Sequence, residues 1–127
     1  MNMIEGRLEA ADARGAHVTV GGSVRLLVPV DARRSSPGAE VVLGVRPEHL
    51  HRDPADSALE ATVVAVERLG SESLLHGRLS TEELVTWRVI GSDRSSPGDT
   101  ARLGMDAARC HLFDGAGTAF TRLEAAS

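Results

Sequence analysis

The chain has 127 residues, enough for one domain or for two very small ones packed together. It is 42% hydrophobic and 25% charged, and no stretch approaches the ~20 consecutive apolar residues of a membrane-spanning helix. With 14 arginines, no lysine and 18 acidic residues, its net charge of −4 argues against a strongly basic polyanion binder, and its three aromatics, Trp87, Phe113 and Phe120, against a stacking platform for nucleic acid.

The dominant hydrophobic period is two, so the predicted elements are strands. In chain order they cover Ile4–Asp12, His17–Val20, Ser23–Val30, Glu40–Val45, Leu59–Val66, Ser73–Leu79, Leu84–Ile90 and Thr100–Met105. Each run is short, rich in Val and Leu, and bounded by Gly, Pro, Ser or Asp. Eight or nine such strands fill the chain and predict an all-β sandwich or barrel. Three short helical turns are expected: after Arg46 with Pro47 leading, over Asp53–Ala58 with Asp53 as cap, and over Asp106–Arg109. Gly21-Gly22 and Gly70-Ser71 suit tight hairpins that need positive φ, and each Ser-Ser-Pro-Gly suits a type II turn.

That tetrapeptide belongs to an internal repeat. Arg34–Gly44 reads RSSPGAEVVLG and Arg94–Gly104 reads RSSPGDTARLG, with seven of eleven positions identical at an offset of 60. A weaker match aligns Ile4–Ala16 with Leu59–Ser71 at an offset of 55. Convergent turn chemistry is one source of such matches. Duplication of a β unit, roughly 1–56 and 57–123, is the other, and the shared order of the matches favours it. Units of ~55 residues are marginal alone. They are expected to share an interface or exchange strands, as a single domain over 1–127.

Leu43–Leu50 (LGVRPEHL), Val66–Ser73 (VERLGSES) and Ala108–Asp114 (ARCHLFD), in that order and at those distances, carry a resemblance. The chain resembles the C-terminal regulatory domain of the ATP-binding subunits of carbohydrate ABC importers, of the maltose and glycerol-phosphate type. The opening Met1–Gly6 and the closing Gly117–Phe120 with Arg122-Leu123 are similar to the ends of that domain. The resemblance implies an OB-like β-barrel elaborated by duplication, of the TOBE and molybdate-binding-like (MOP-like) class. In the family, a nucleotide-binding domain precedes it. No G-x-x-x-x-G-K-[ST] loop occurs here, and without lysine none can. The chain is therefore expected to be non-catalytic and to hold no cofactor. ATP and magnesium would belong to the parent's missing domain. The implied partners are a second copy of the chain, the ATPase domain of the same polypeptide, the transmembrane permease subunits and a regulatory protein, with no nucleic acid. The absence of a visible signal peptide, the lone Cys110 and the resemblance together place the expected location in the bacterial cytoplasm, at the inner face of the membrane.

Arg46, Glu48, His49, Glu72 and Trp87 are the candidate contacts for a partner or regulator. The bland alternative for Arg46-Pro47-Glu48-His49 is a turn whose side chains satisfy backbone. Trp87 alternates with Val85 and Val89, which favours the core; exposed, it would anchor an interface. His49 and His51 would share a strand face with Asp53 near, a weak metal signal beside ordinary surface histidines. No catalytic, cofactor or metal site is expected. Ser71 and Ser73 around a glycine turn are the one hint of an oxyanion nest, and Glu72 between them opposes a dianion. This leaves a stand-alone oxyanion- or sugar-binding module as the alternative function. Cys110 reads as a small buried apolar residue.

Overall fold

The computed structural model describes residues 1–52, 58–91 and 93–123. The described residues form antiparallel strands joined by turns. Twelve strands follow one another: β1 (Asn2–Asp12), β2 (Gly15–Val20), β3 (Val24–Val28), β4 (Val30–Asp31), β5 (Glu40–Val45), β6 (Leu50–Arg52), β7 (Leu59–Arg68), β8 (Glu72–Leu79), β9 (Leu84–Ile90), β10 (Thr100–Met105), β11 (His111–Asp114) and β12 (Thr121–Arg122). The only helical elements among the described residues are two 3-10 turns, Pro47–His49 and Ala107–Arg109. The turn expected over Asp53–Ala58 falls, apart from Ala58, outside the described residues.

The strands make two five-stranded sheets, ordered β11-β5-β1-β2-β3 and β6-β10-β7-β8-β9, and a two-stranded pair of β12 with β4. Two compact units result: the first takes Met1–Asn2 and Val45–Asp106, the second Met3–Gly44 and the segment from Ala107. In the first unit, β6 also lies against β9, which nearly closes that sheet into a barrel. All-β architecture, with strands of period two and no long helix among the described residues, agrees with the sequence.

The repeat is visible in backbone geometry. β1 pairs with β2 through a bulge between Leu8 and Ala10, and β7 pairs with β8 through one between Val63 and Ala65. Both Pro-Gly pairs form type II turns: the Ala39 N–H donates to Ser36 O at 3.1 Å and the Asp99 N–H to Ser96 O at 3.0 Å, with Gly38 at φ 90° and Gly98 at φ 97°. Each turn then docks on the residue just before a bulge. Leu8 N–H donates to Ala39 O at 2.9 Å, and Gly38 N–H to Leu8 O at 2.7 Å. Val63 N–H donates to Asp99 O, and Gly98 N–H to Val63 O, both at 2.8 Å.

Beyond β5 and β10 the repeats exchange their ends. β6 pairs with β10, placing His51 opposite Gly104, while β11 pairs with β5, placing His111 opposite Gly44. The first 3-10 turn packs on β9 and the second on β3. Each unit is thus finished by a short strand and a turn from the other repeat. These strands are too short for alternation to reveal them. The expected Ser23–Val30 strand is divided at Pro29, which has no N–H for a ladder, into β3 and β4.

Burial follows the alternation. In the first unit Leu50, Leu59, Leu75, Val85, Trp87 and Leu103 are at most 1% exposed; in the second, so are Ile4, Leu8, Val20, Leu43, Cys110 and Leu112. Gly77, opposite Val85 on β9, makes room for the indole. A Cβ there would lie 2.8 Å from Trp87 Cζ3 and 3.1 Å from Thr62 O. The second unit has its own clamp. Arg34 bonds Asp114 at 2.6 Å and lies 4.1 Å from the Phe120 ring centroid, and Arg122 donates to Ala108 O and Cys110 O at 2.8 and 2.7 Å.

Gly77→Ala is expected to destabilise the chain by about 1–3 kcal/mol in urea unfolding, because a rigid buried ring must move. Gly115→Ala, whose added Cβ would meet nothing nearer than Glu40 O at 3.8 Å, should change stability far less. Asp114 gives a pH signature. The Arg34 guanidinium, then the N–H groups of Thr118 and Ala116, hold its carboxyl below the ordinary 3.8. Its contribution is therefore full above that unfolded value and is lost as pH falls through the lower folded one. Thermal midpoints scanned from pH 5 to pH 2 should fall less steeply in Asp114→Asn than in the parent chain.

Candidate partner-contact site

Four of the five candidate residues converge around one strand of the first unit. Arg46 is extended (φ −73°, ψ 148°), as a residue before proline must be, and Pro47 then starts the 3-10 turn. The turn closes when His49 N–H donates to Arg46 O at 2.9 Å and Leu50 N–H donates to Pro47 O. Leu50, 1% exposed, pins it to the core. The turn packs on β9, and Glu48 lies near enough to Arg88 of that strand to feel its charge.

Glu48 is held below the usual glutamate range. The chief cause is the N–H of its own residue, which donates to its carboxylate; His49, Arg46 and Arg88 add positive potential. Arg88, on β9, donates from Nε to Glu72 Oε2 at 3.0 Å across the β8–β9 pair. Glu72 stands opposite Ile90, which is 71% exposed. The result is a half-exposed patch of alternating charge, Arg46–Glu48–Arg88–Glu72, with a large apolar side chain at its edge. His49 is half-buried, and its Nδ1 meets no partner among the described residues.

Trp87 lies beneath this patch. It is fully buried, so of the two readings open in the sequence the structure takes the core one. It supports β9 from inside instead of offering its ring at the surface. Arg88 is the residue that sequence reasoning missed. Its significance needs the β8–β9 register and the position of a turn about forty residues away, neither of which spacing reveals.

Other expectations separate. His49 ends the turn and only His51 belongs to β6, so the two imidazoles do not share a strand face. Asp53 is outside the described residues. No group of three or more metal-ligating side chains occurs among the described residues. Ser73 is buried in β8 while Ser71 is exposed in the turn, and the Glu72 carboxylate between them is engaged by Arg88. These two hydroxyls do not form a common nest.

A second polar network crosses the same unit. Glu67 Oε1 is 2.7 Å from His76 Nε2, and His76 Nδ1 is 2.9 Å from Thr86 Oγ1. The Asn2 side chain then matches the Thr86 backbone like a neighbouring strand. Its Nδ2 donates to Thr86 O at 2.8 Å and its Oδ1 accepts from Thr86 N–H at 2.7 Å. Asn2 thereby covers part of the free edge of β9, where an unpaired edge would invite strand addition.

Comparison with known proteins agrees with this architecture. The family description "TOBE domain" matches residues 43–113, and "MalK OB fold domain" matches residues 1–50. The maltose/maltodextrin import ATP-binding protein MalK of Vibrio cholerae is 32% identical over 125 residues, covering 97% of this chain and 34% of its own length. MalK of Photorhabdus laumondii is 33% identical with the same coverage. The sn-glycerol-3-phosphate import ATP-binding protein UgpC of Cereibacter sphaeroides is 38% identical over 115 residues, 90% of this chain and 30% of its own. The chain thus spans about a third of the length of these relatives. Among solved structures, the cytoplasmic molybdate-binding protein ModG, with molybdate bound, superposes with a TM-score of 0.70 at 19% identity, over 87% of this chain and 94% of that one. That likeness speaks for the fold. Domains of this type are non-catalytic regulatory modules. The chain belongs to the TOBE family, as an OB-fold domain of the kind found in the C-terminal region of MalK- and UgpC-type ABC importer ATPase subunits.

Proposed function

We propose that residues 1–127 act as one regulatory and dimerisation domain of the ATP-binding subunit of an ABC importer for a sugar or a related solute. The alignment with MalK over 97% of the chain carries this reading. On it, the parent protein works in the cytoplasm at the inner face of the membrane. Its partners are a second copy, the ATPase domain of its own polypeptide and the permease subunits. ATP and magnesium act in that ATPase domain, and this chain contributes contact.

The mechanism is mechanical. Two ATPase domains must separate and meet in each cycle. Contact between their regulatory domains keeps the local concentration of the partner high while they are apart. A regulatory protein that binds one arrangement better than the other shifts the cycle by its differential affinity. Arg46, Glu48, His49 and Glu72, with Arg88 between them and Trp87 stiffening the strand below, are the proposed contact patch. Alternating charges there give register and partner choice more than raw affinity.

The alternative is a small-ligand module for an oxyanion or sugar. The fold shared with ModG, described as molybdate-binding, favours that class. Calorimetry with molybdate, sulfate and a sugar panel separates the two, since a tight site would support the alternative. Under the proposed function, equilibrium sedimentation of the chain shows a reversible dimer. Glu48→Lys should weaken it roughly tenfold and shift the thermal midpoint by no more than about 2 °C. A chain that remains monomeric at every concentration would remove dimerisation from the proposal. The Arg88–Glu72 pair should show a double-mutant coupling in stability of no more than about 1 kcal/mol, as both groups are partly exposed.

A further inference from the structure

The outward face of the β1-β2-β3 sheet carries an unassigned row of polar groups in the second unit. Arg7 pairs with Thr19 across β1–β2, and Thr19 pairs with Arg25 across β2–β3. The three residues therefore stand side by side on adjacent strands. Neighbouring strands are ~4.8 Å apart, so the two arginine Cα atoms are about 10 Å apart with a hydroxyl between them. Both arginines are exposed and Thr19 is half-exposed, while Val18, Val20 and Val24 turn inward.

Arg7 and Arg25 make no side-chain hydrogen bond or ion pair with the described residues. This contrasts with Arg33, Arg34, Arg52 and Arg88, each of which holds a carboxylate. The corresponding row of the other repeat is Thr62, Arg78 and Leu84. There a single arginine lies 3.6 Å from Glu82. The paired arginines are thus not a by-product of the duplication. Gly6 fixes the strand spacing beside the row, because a Cβ there would lie 2.7 Å from Thr19 O. The neighbours are mixed. Glu5 and Glu9 lie two residues either side of Arg7 in sequence, Glu9 at the bulge; His17 is bonded to Asp12 at 3.0 Å; and Leu27, opposite His17, is 37% exposed.

We infer that this row is a docking surface for an acidic segment of a partner protein, with one carboxylate received over Thr19 between Arg7 and Arg25. Two guanidinium forks and a hydroxyl supply donors from three strands to one oxygen-rich group. A flat, exposed sheet face suits an extended chain better than a small ion, which binds in concave sites. Leu27 adds an apolar contact at the rim. The attraction acts at short range, through the two guanidinium groups themselves; Glu5 and Glu9 oppose it beyond the row, and salt screens it. This surface is independent of the charged patch on β9 and does not rest on the function proposed above.

Titration of the isotopically labelled 127-residue chain with hexaglutamate at low salt tests the inference. Expected are NMR shifts centred on the Thr19 amide and the Nε–H groups of Arg7 and Arg25. Arg7→Gln and Arg25→Gln should each weaken binding roughly three- to tenfold, and 0.5 M salt should abolish it. Arg94→Gln removes the same charge elsewhere and should change nothing. An equal loss in Arg94→Gln would reduce the effect to net charge and overturn the inference. So would shifts centred on Arg46, no shifts at all, or inorganic phosphate acting as strongly as the peptide. Unchanged backbone spectra of the variants establish that any loss is local.

Discussion

Each half of this molecule depends on one two-bond latch. The residue before a β-bulge, Leu8 or Val63, gives both its N–H and its C=O to the Pro-Gly turn that precedes β5 or β10. Neither bond is individually large; a backbone hydrogen bond contributes about 1 kcal/mol net. Their weight is geometric. They fix where the strand after the turn begins, and hence its register on β1 or β7. A one-residue slip would turn every apolar side chain of that strand to the wrong face. The glycine in each turn is required on conformational grounds, since position i+2 of a type II turn needs positive φ and both Gly38 and Gly98 supply it.

The candidate site follows from the exchange of ends between the repeats. After β5 the chain runs through Arg46 into the Pro47 turn and on to β6, which joins the sheet of the other repeat beside β10. The turn packs on β9, a strand it never pairs with in the ladder, and brings Glu48 near Arg88, which holds Glu72. The same path in the second repeat carries Ala107–Arg109 to β3, with Arg122 bonding the carbonyls of Ala108 and Cys110. Exchange explains why neither copy of ~55 residues is a closed unit: each lacks the strand and turn that finish its sheet. The size argument points the same way, because so short a chain buries too little surface to stand alone.

Much of this was legible in the residues. Alternation located the long strands, since Val, Leu and Ile fill every second position and one face is buried. Glycine and proline located the turns, because their backbone constraints are local. The repeat was legible for the same reason: Ser-Ser-Pro-Gly is a turn signal before it is a sign of ancestry. What was hidden is what depends on tertiary partners. β6, β11 and β12 have two to four residues each, too few for a period to show. Alternation runs straight through Pro29, although its missing N–H marks the break. Arg88 looked like an ordinary outward residue of β9 until the register brought Glu72 within 3.0 Å and the turn brought Glu48 near. Trp87 could be weighed but not decided from alternation, because the space it fills exists only where Gly77 lacks a side chain.

The charges on the β9 patch are poorly explained as a stabilising device. Arg88 and Glu72 are 41% and 33% exposed, and pairs so solvated contribute little after screening and side-chain entropy are counted. The core beneath, built on Trp87 and Leu75, needs no ion pair above it. What a half-exposed chain of alternating charges on a rigid strand does well is discriminate: it accepts a surface of complementary pattern and repels one that is shifted or of the wrong sign. Rigidity matters as much as charge, because side chains fixed before contact lose less entropy on binding. The turn closure at Leu50, the filled space under Trp87 and the Asn2 amide along the strand edge all stiffen the same few residues. That convergence, more than any single contact, is what supports the proposal that β9 and its turn receive a partner.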